Sequence, residues 1–496
     1  MKLHKVLIAN RGEIAIRIIR ACKELNIKTV AVCSEADKHA LHTRFADEAY
    51  LLGPPPATQS YLKADKIIEI AKKANCDAIH PGYGFLSENA EFARAVEESG
   101  LAFIGPPADA IELMGNKLSA RKTAEKNGIP IVPGMNRKIK ALSEAVKIAE
   151  ELGYPLMIKA SAGGGGKGMR VVHHKKELKS ALERATSEAQ AAFGDPSVYF
   201  EKFIRKAKHI EFQVLCDAHG NSVHLFEREC SIQRRHQKLV EESPAPLLPQ
   251  KLRAQMGEAA VKLAEACGYR SAGTIEFLYD ADEEKYYFLE ANTRLQVEHP
   301  VTEMRTGIDL VKEQLVIASG KRLAFSQDDI QPRGAAIECR IYAEDPQNDF
   351  LPSMGVIEEL ITPMGPGVRV DHGLYRGERI SRHYDSLLAK LIVWAANRDE
   401  AIARMQRALE EFKILGVKTT IGFHLRVMES KAFKSGHYFT DFIERMGTPE
   451  APSEEFLKIL AIAAALKKEQ ESRLLEPKPD ELEAWKAGAS SDEIHR

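Results

Sequence analysis

The apolar positions of the first hundred residues change repeatedly between a strand pattern and a helix pattern. Short aliphatic runs at 6–9 and 29–32 flank an amphipathic stretch at 14–25. This succession predicts a strand, a helix and a second strand of a parallel sheet. The pattern recurs with a helical stretch at 67–73 and a strand at 78–79. We therefore predict an α/β fold that begins with a parallel-sheet domain.

A hairpin pattern lies further along the chain. Two runs rich in aromatic and β-branched residues, 274–279 and 286–291, flank the polar segment 280–285, which predicts a β-hairpin. Folding the chain there brings Glu276 within one position of the residue opposite Glu290. Two carboxylates at the short distance of opposed strand positions repel each other, so we expect a cation between them.

The positions after this hairpin keep the period of two that is typical of a strand. Continuing the strand places Glu290, Asn292, Arg294, Gln296 and Glu298 on one face, and Ala291, Leu295 and Val297 on the other. A polar face of this kind predicts either a binding site or the solvated outer face of an edge strand. The pattern alone leaves both interpretations open.

Two glycine-rich segments are candidates for ligand binding. Residues 80–89 follow a predicted strand, at the sheet edge where α/β proteins usually bind ligands; an ordinary tight turn is the alternative. Four glycines at 163–166 lie between strand-like segments that carry Lys159 and Lys167. No Ser or Thr follows Lys167, so we predict a glycine hairpin over a phosphate and not a Walker loop. A flexible surface hairpin is the alternative.

Three further segments are defined by pattern. The charged run at 227–238 is, taken by itself, typical of a solvated surface. Residues 332–446 form another unit with strands at 336–341 and 367–370, and a helix is predicted at 454–468 before a charged, disordered end. In that helix Phe456, Leu457, Leu460 and Ala464 are expected to pack on the body of the protein or on a partner.

Composition excludes several classes of protein. The 496 residues allow for about three domains of ~150 residues each. Because 70 basic and 71 acidic residues leave a net charge of -1, no overall field favours nucleic acid or anionic lipid. The seven cysteines are scattered without close pairs, and no apolar run approaches the ~20 residues of a membrane span. We expect a cytoplasmic protein with reduced thiols.

Six segments together resemble the biotin carboxylase family, ATP-grasp enzymes that make carboxybiotin. They are IANRGEIA at 8–15, HPGYGFL at 80–86, KASAGGGG at 159–166, RECSIQRRHQK at 228–238, EANTRLQVEHP at 290–300 and YDSLLAK at 384–390. The resemblance implies an N-terminal parallel-sheet domain at 1–114 and an ATP-grasp domain at 115–331 with a mobile lid at about 133–203. An α+β C-terminal domain at 332–446 and a helical or disordered tail at 447–496 complete the expected organisation.

The resemblance assigns one set of residues to ATP and another to a metal ion. The ATP set is Lys117, Lys159, Gly164, Gly165, Gly166, Met169, Glu201, Lys202, Phe203, Ile204, His209, Gln233, His236 and Leu278. A strand at 201–204 is expected to present its backbone to adenine, while Leu278 and Met169 pack on the ring or are plain core residues. Glu276, Glu290 and Asn292 offer the oxygen ligands that suit Mg²⁺ or Mn²⁺.

The resemblance also assigns bicarbonate, biotin and the catalytic residues. Bicarbonate is expected at Lys238, Arg294, Gln296, Val297 and Glu298, and biotin at Tyr83 and Arg340. Catalysis would use Glu298 as general base, Lys238 and Arg294 on the oxyanion, and Arg340 on the biotin enolate. A structural role as the partner of Arg294 is the alternative for Glu298.

The expected partners follow from the same resemblance. The only Met-Lys dipeptide is Met1-Lys2, so no Met-Lys-Met biotin-accepting site is present. We expect a homodimeric protein that carboxylates biotin on a separate carrier protein and works with a carboxyltransferase on another chain, as in two-subunit pyruvate carboxylases or acetyl-CoA carboxylase. The alternatives are a carbamoyl phosphate synthetase-like or purine-pathway ATP-grasp enzyme, and a catalytically silent nucleotide sensor.

Overall fold

Five parallel strands form the first sheet of the protein. The computed structural model describes residues 2–134, 142–160, 169–447 and 454–474. The strands lie in the order β3-β2-β1-β4-β5. They are β1 (Lys5–Ile8), β2 (Lys28–Ser34), β3 (Glu48–Gly53), β4 (Ala78–His80) and β5 (Ala102–Phe103). The helices of this region are α1 (Gly12–Glu24), α2 (Leu41–Phe45), α3 (Ala64–Lys73), α4 (Ala90–Glu98) and α5 (Ala108–Gly115). The predicted parallel α/β sheet is confirmed.

A small antiparallel sheet follows. Its strands β6 (Leu156–Ala160), β7 (Arg170–Val172) and β8 (Val198–Lys202) lie in the order β7-β6-β8 beside helices α7 (Leu142–Leu152) and α8 (Leu178–Phe193). Helix α6 (Lys117–Lys126) precedes them in the chain. The strand predicted at 201–204 ends at Lys202, so its last two residues were assigned wrongly. Pro155 precedes the partner strand β6 and offers no N–H to extend the ladder. Gly164, Gly165 and Gly166 lie outside the described residues.

The remaining elements of the central and C-terminal regions are numerous. They are β9 (Ala207–Cys216), β10 (Ser222–Arg234), β11 (Gln237–Ser243), α9 (Gln250–Ala266), β12 (Ser271–Asp280), β13 (Lys285–Asn292), α10 (His299–Thr306), α11 (Leu310–Ala318), β14 (Ala335–Tyr342), β15 (Glu344–Asp345), β16 (Leu351–Pro352), β17 (Gly355–Val356), β18 (Glu359–Ile361), β19 (Val368–His372), β20 (Arg379–Ile380), β21 (Leu387–Ala395), α12 (Arg398–Glu411), β22 (Lys413–Leu415), α13 (Ile421–Glu429), α14 (Lys431–Ser435) and α15 (Phe442–Met446).

Eight of these strands form one large antiparallel sheet. Their order is β13-β12-β9-β10-β11-β14-β21-β19. The pairing of β11 with β14 is continuous over four residue pairs, so strands from the predicted ATP-grasp and C-terminal regions share a single sheet. The predicted domain boundaries remain predictions.

The hairpin of β12 and β13 has the predicted register. Glu276 lies directly opposite Glu290, with a register shift beside this pair. The strand ends at Asn292, so the prediction that it continues to Glu298 is wrong. The chain turns after β13 because the Thr293 N–H donates to Glu88 Oε1 at 3.0 Å instead of to a neighbouring strand.

The charged run at 227–238 is not a solvated surface. Most of it belongs to β10, and the Arg228 side chain is 0% exposed. Arg228 donates to Gln213 Oε1 at 2.9 Å and to Thr302 Oγ1 at 2.8 Å, and its Nε donates to Glu211. The surface interpretation failed because these acceptors lie far from Arg228 in sequence.

A second unit of the chain begins at Gly447 and contains one described helix. Its helix α16 (Glu454–Leu474) confirms the predicted helix and extends it. Leu460 is exposed, and so is Ala464, whereas the side chains of Phe456 and Leu457 lie outside the described part of the chain. Within the described residues, no helix combines the length and apolarity that a membrane crossing requires.

Candidate active site

A row of ionisable residues crosses four neighbouring strands of the eight-stranded sheet. Glu290 on β13 pairs with Glu276 on β12, Glu276 pairs with Glu211 on β9, and Glu211 pairs with Arg228 on β10. Directly opposed residues in a sheet project to the same face with Cβ atoms about 5 Å apart. Three carboxylates in such a row need cations close by.

Lys238 on β11 supplies the central cation. Its ammonium donates to Glu276 Oε1 at 2.9 Å, to Glu298 Oε1 at 2.6 Å and to Glu211. Burial alone would lower the pKa of Lys238, but the three carboxylates raise it well above its usual range. Lys238 is therefore a permanent cation. It supplies positive charge beside Glu276, where the sequence predicts a cation.

Glu298 is buried in the turn before α10 and is held between two cations. Its Oε1 accepts from Lys238, and its Oε2 accepts from Arg340 at 2.8 Å. Burial would raise the pKa of Glu298, yet Lys238 and Arg340 lower it well below its usual range. The side chain is an ionised carboxylate, the form that accepts a proton. Gln296 and Glu298 are 4% and 0% exposed, so this polar segment is not a solvated face.

Arg294 has other partners than the one the sequence suggested. Its Nε donates to Glu88 Oε2 at 2.8 Å, and its Nη1 donates to Gln296 Oε1 at 2.9 Å. Its Nη2 donates to Asn292 Oδ1 at 3.2 Å. The alternative that pairs Arg294 with Glu298 is therefore wrong: the hydrogen bonds of Glu298 go to Lys238 and Arg340.

Tyr83 and Arg340 lie at the other end of the site. The Tyr83 hydroxyl donates to Glu13, and the Lys390 ammonium lies 5.9 Å from the centre of the Tyr83 ring. Lys390 also donates to the backbone oxygen of Val297 at 2.9 Å. Arg340 on β14 pairs directly with Lys390 on β21, so Tyr83 and Arg340 both lie beside Lys390. The structure thus brings the two predicted biotin residues together.

The loop that carries Tyr83 is fixed by one side chain. Asn10 Nδ2 donates to the backbone oxygens of Pro81 and Tyr83, both at 2.7 Å. Gly82 between them has φ +64°, and a Cβ there would lie 2.9 Å from Asn10 Nδ2. A glycine is required for both reasons, which explains why this loop is rich in glycine.

A cluster of cations lies near Glu290. Lys117 lies 3.4 Å from Glu290, and Lys159 forms a salt bridge of 2.5 Å with Glu201. Burial, Lys159 and Lys117 together lower the pKa of His236, so His236 lies within their field. His236 occupies the turn between β10 and β11 with φ +67°. The three residues predicted for phosphate and ribose are therefore close together.

His209 and Gln233 lie beside the same row. His209 Nε2 is 2.7 Å from Glu276 Oε2, and its Nδ1 is 3.2 Å from Gln233 Nε2. Burial would lower the pKa of His209, but Glu276 raises it. His209 is thus a close partner of Glu276.

The residues predicted around adenine are only partly brought together. Leu278 packs against a small apolar cluster that contains Ile204, Val132 and Tyr287, while Met169 is half-buried before β7. The Phe203 ring packs near His173. The Lys202 side chain points to Glu283 at 2.7 Å, so a role of Lys202 toward adenine would use its backbone.

The carboxylate pair fits a divalent cation. Glu276 and Glu290 face each other, and Asn292 follows Glu290 on the same face and donates to Glu276 Oε1 at 2.8 Å. Glu290 is half-buried and has a single long ion pair of 3.4 Å among the described residues, to Lys117. An all-oxygen set with a partly free carboxylate suits Mg²⁺ or Mn²⁺ better than a soft metal.

Several site residues were not assigned a role from the sequence. They are Glu13, Glu88, Glu211, Arg228, Glu241 and Lys390. Glu13, Glu88, Arg228 and Lys390 lie in or beside the glycine-rich loop and the family segments, which was a usable signal. No sequence pattern marks Glu211 and Glu241 as site residues, because only strand pairing brings them to the site.

Family models match three consecutive parts of the chain. The model described as "Biotin carboxylase, N-terminal domain" matches residues 2–111, and "Biotin carboxylase C-terminal domain" matches 338–445. Residues 116–326 between them match "Carbamoyl-phosphate synthase L chain, ATP binding domain". The central match is shared with the alternative enzyme, so the two flanking matches favour the biotin carboxylase interpretation.

Individual proteins agree with these models. The chain is 56% identical to "Biotin carboxylase 1" of Bacillus subtilis over 89% of the chain and 98% of the relative. It is also 56% identical to a pyruvate carboxylase subunit of Methanothermobacter thermautotrophicus, over 89% of each chain.

A solved structure extends the agreement to the fold. The biotin carboxylase domain dimer of Hydrogenobacter thermophilus 2-oxoglutarate carboxylase, in complex with MgADP, ADP and bicarbonate, matches with a TM-score of 0.87 and 50% identity. The match covers 91% of this chain and all of that one. On the strength of these matches, and of a site that joins carboxylates, Lys238 and Arg340 on one sheet, the chain belongs to the biotin carboxylase family of ATP-dependent ligases.

Proposed function

We propose that this protein carboxylates biotin on a separate carrier protein, using ATP and bicarbonate, through a carboxyphosphate intermediate. The observation that carries the proposal is the position of Glu298. One ionised carboxylate contacts both Lys238, the proposed bicarbonate cation, and Arg340, the proposed biotin cation. This contact supports a site in which two substrates meet at a single base.

The nucleotide would bind at the β13 end of the site. Lys117, Lys159 and His236 would contact its phosphate and ribose groups. The two lysines would supply the fixed cations that phosphoryl transfer needs around the triphosphate. His209 and Gln233 would contribute further nucleotide contacts, and Leu278 would pack on adenine. A Mg²⁺ or Mn²⁺ ion held by Glu276, Glu290 and Asn292 would neutralise triphosphate charge.

Bicarbonate would bind between Lys238 and Arg294. Glu298 would take the bicarbonate O–H proton while a bicarbonate oxygen attacks the γ-phosphorus, and ADP would leave with the electron pair of the broken P–O bond. The bound anion would compete for the Lys238 ammonium and so weaken its hydrogen bond to Glu298. Because Lys238 is what lowers the pKa of Glu298 most, this exchange makes Glu298 a stronger base once bicarbonate is present.

Biotin would bind between Tyr83 and Arg340. Carboxyphosphate would decompose to CO₂ and phosphate, the phosphate would take the N1′ proton, and N1′ would then bond to CO₂. Arg340 would stabilise the negative charge that develops on the ureido oxygen, as a fixed cation in a site of low dielectric constant does. Lys390 would fix the Val297 backbone and the Tyr83 ring between the two substrate positions.

The proposed partners are a biotin carrier protein and a carboxyltransferase on other chains. The names of two relatives describe subunits of larger enzymes, which supports the same role for this protein. They are the pyruvate carboxylase subunit of Methanothermobacter thermautotrophicus and the "2-oxoglutarate carboxylase small subunit" of Hydrogenobacter thermophilus, at 52% identity. The dimer described for the similar solved structure supports a homodimer. Pyruvate and acetyl-CoA remain the proposed final acceptors.

Steady-state ATP cleavage tests this function. The purified protein, with Mg²⁺ and free biotin, should release ADP only when bicarbonate is present, and biotin should stimulate the release. Labelled bicarbonate should appear in an acid-labile biotin product. A protein that cleaves ATP with ammonia or a purine intermediate instead of biotin would contradict the proposal, and so would the absence of any bicarbonate-dependent cleavage.

A further inference from the structure

Two buried glutamates lie opposite each other beside Arg340. Glu241 on β11 pairs with Glu338 on β14, and both are 0% exposed. Arg340 lies two residues after Glu338 and therefore projects to the same face of β14. Its Nε donates to Glu241 Oε1 at 2.6 Å, and its Nη2 lies 2.6 Å from the same oxygen while donating to Glu298 Oε2 at 2.8 Å.

The hydrogen bonding of the two glutamates is unequal. Glu241 Oε1 accepts from Arg340, whereas Glu241 Oε2 and both oxygens of Glu338 have no hydrogen-bond partner among the described residues. A buried carboxylate anion without donors is very costly, and two opposed carboxyls do not both ionise readily. Glu338 is therefore the member of the pair that keeps a proton, and Glu241 is the member that carries the charge.

Charged and titratable groups from several elements surround the pair. They are Arg340 on β14, Lys390 on β21, Lys238 on β11, Glu298 before α10, and the thiols of Cys230 and Cys339. Lys390 is bonded to the Val297 backbone, and Lys238 to other carboxylates. Arg340 is consequently the cation in contact with Glu241.

We propose that Glu241 is a positioning residue for Arg340, and that Glu338 limits the pair to a single negative charge. The proposal rests on the proposed function, because Arg340 acts on biotin there. A single charge on Glu241 holds the Nε–Nη2 edge of the guanidinium through one oxygen, so that the Nη2 hydrogen bond to Glu298 can be exchanged for one to the biotin oxygen. A second charge on Glu338 would hold the guanidinium at the pair and away from biotin.

The direction of the pKa changes agrees with this division. Burial and the neighbouring Glu241 raise the pKa of Glu338 well above its usual range. Burial, opposed by Arg340, raises the pKa of Glu241 to about 7. The anchor on Arg340 therefore weakens as the pH falls through about 7, where Glu241 takes up a proton.

Kinetics of Glu241→Gln with free biotin test the positioning role. At pH 8 and saturating bicarbonate we expect the KM for biotin to rise at least tenfold, equivalent to about 1.4 kcal/mol. ATP cleavage without biotin should change much less, because Lys238 and Arg294 keep their partners. The biotin KM of the unmodified protein should rise as the pH falls from 8 to 6, whereas that of Glu241→Gln should stay nearly constant. Glu241→Asp should restore part of the lost affinity and the pH dependence.

Thermal unfolding of Glu338→Gln tests the proton on Glu338. A carboxyl with a raised folded-state pKa binds more protons in the folded protein, so its contribution lowers stability as the pH rises above about 4.5. Glutamine cannot titrate, so the melting temperature of the variant relative to the unmodified protein should increase from pH 6 to pH 8. An equal loss of stability at every pH would show that Glu338 holds no proton.

The outcomes separate this proposal from the proposed function. Unmodified protein without biotin-stimulated ATP cleavage would overturn the function itself. Active protein whose Glu241→Gln variant keeps the same biotin KM and the same pH profile would overturn only the positioning role. If Glu241→Gln fails to fold, as judged by circular dichroism, then Glu241→Asp and Glu338→Gln still decide the matter through the same two measurements.

Discussion

The two large sheets of this protein are stabilised in opposite ways. In the parallel sheet, alternate residues of β1 enter two separate apolar clusters, Leu7 in one and Val6 and Ile8 in the other. The antiparallel sheet instead carries a row of ionisable residues across β13, β12, β9 and β10, and the members on β12, β9 and β10 are buried. Apolar burial stabilises without regard to direction, whereas a buried charge is tolerated only with matched partners. The second sheet therefore has fewer permitted arrangements, and it is the one that carries the site.

Removing the central cation should have the largest effect. We expect Lys238→Met to lower bicarbonate-dependent ATP cleavage by about 10³-fold, equivalent to about 4 kcal/mol of transition-state stabilisation. The variant should also lose stability, because Glu276 and Glu298 lose the cation that lowers their pKa. Such carboxylates contribute their full stabilisation above about pH 4.5 and progressively less as the pH falls from there toward their lowered pKa, so the loss should be somewhat larger at pH 7 than at pH 4.

The measurements for this variant are an ATP cleavage assay and urea unfolding at both pH values. Lys206→Ala is a matched control, since Lys206 forms an exposed salt bridge with Asp282 at 2.7 Å of the kind that contributes little. If the Lys238→Met protein cleaved ATP at the normal rate, Lys238 would have no role in the reaction.

The apolar sheet should respond in stability and not in chemistry. We expect Leu7→Ala to cost about 3 kcal/mol of unfolding free energy, because it leaves a cavity between tightly packed side chains. The kcat of the folded fraction should stay unchanged. Urea unfolding and kinetics below the transition check this. Leu51→Ala, at a position on β3 that is 49% exposed, should change stability by less than about 0.5 kcal/mol; equal effects at both positions would contradict the comparison.

The smallest expected effect is on the loop between β4 and α4, which contacts the segment after β13. Glu88 follows β4 and contacts both Arg294 and the Thr293 backbone. We expect Glu88→Gln to raise the KM for bicarbonate about fivefold, the effect of about 1 kcal/mol from one half-exposed charged hydrogen bond. The KM for biotin should change less. Glu91→Gln, on the exposed side of α4, is the control. An unchanged bicarbonate KM would mean that Glu88 does not orient Arg294.

The contrast between the sheets also explains which features the sequence predicted. The elements β1, α1 and β2 follow from apolar periodicity, and the facing of Glu276 and Glu290 follows from a short hairpin. The turn at 293–298 does not, because its hydrogen bonds go to Glu88, some two hundred residues away. The local charge pattern predicts a surface position for Arg228. It fails because the acceptors on β9, β12 and α10 are brought to Arg228 by strand order, which no local pattern encodes.

The site residues divide in the same way. Lys238, Arg340 and Glu298 were identified by family resemblance, and the sheet brings them into contact. Their partner Glu241 was not identified, since nothing in the sequence of β11 distinguishes it from Glu242. Register decides between them: Glu241 faces Glu338, whereas Glu242 faces Ile337.

The most direct test of this account is the bicarbonate-dependent ATP cleavage of Glu298→Gln in the presence of free biotin. The amide keeps the size of the side chain but cannot take the bicarbonate proton. We predict a loss of at least 10²-fold in kcat, within the range for a general base, with ATP binding and far-ultraviolet circular dichroism unchanged. A Glu298→Gln protein that keeps full bicarbonate-dependent cleavage would contradict the account, because Glu298 would then serve only to neutralise Lys238 and Arg340.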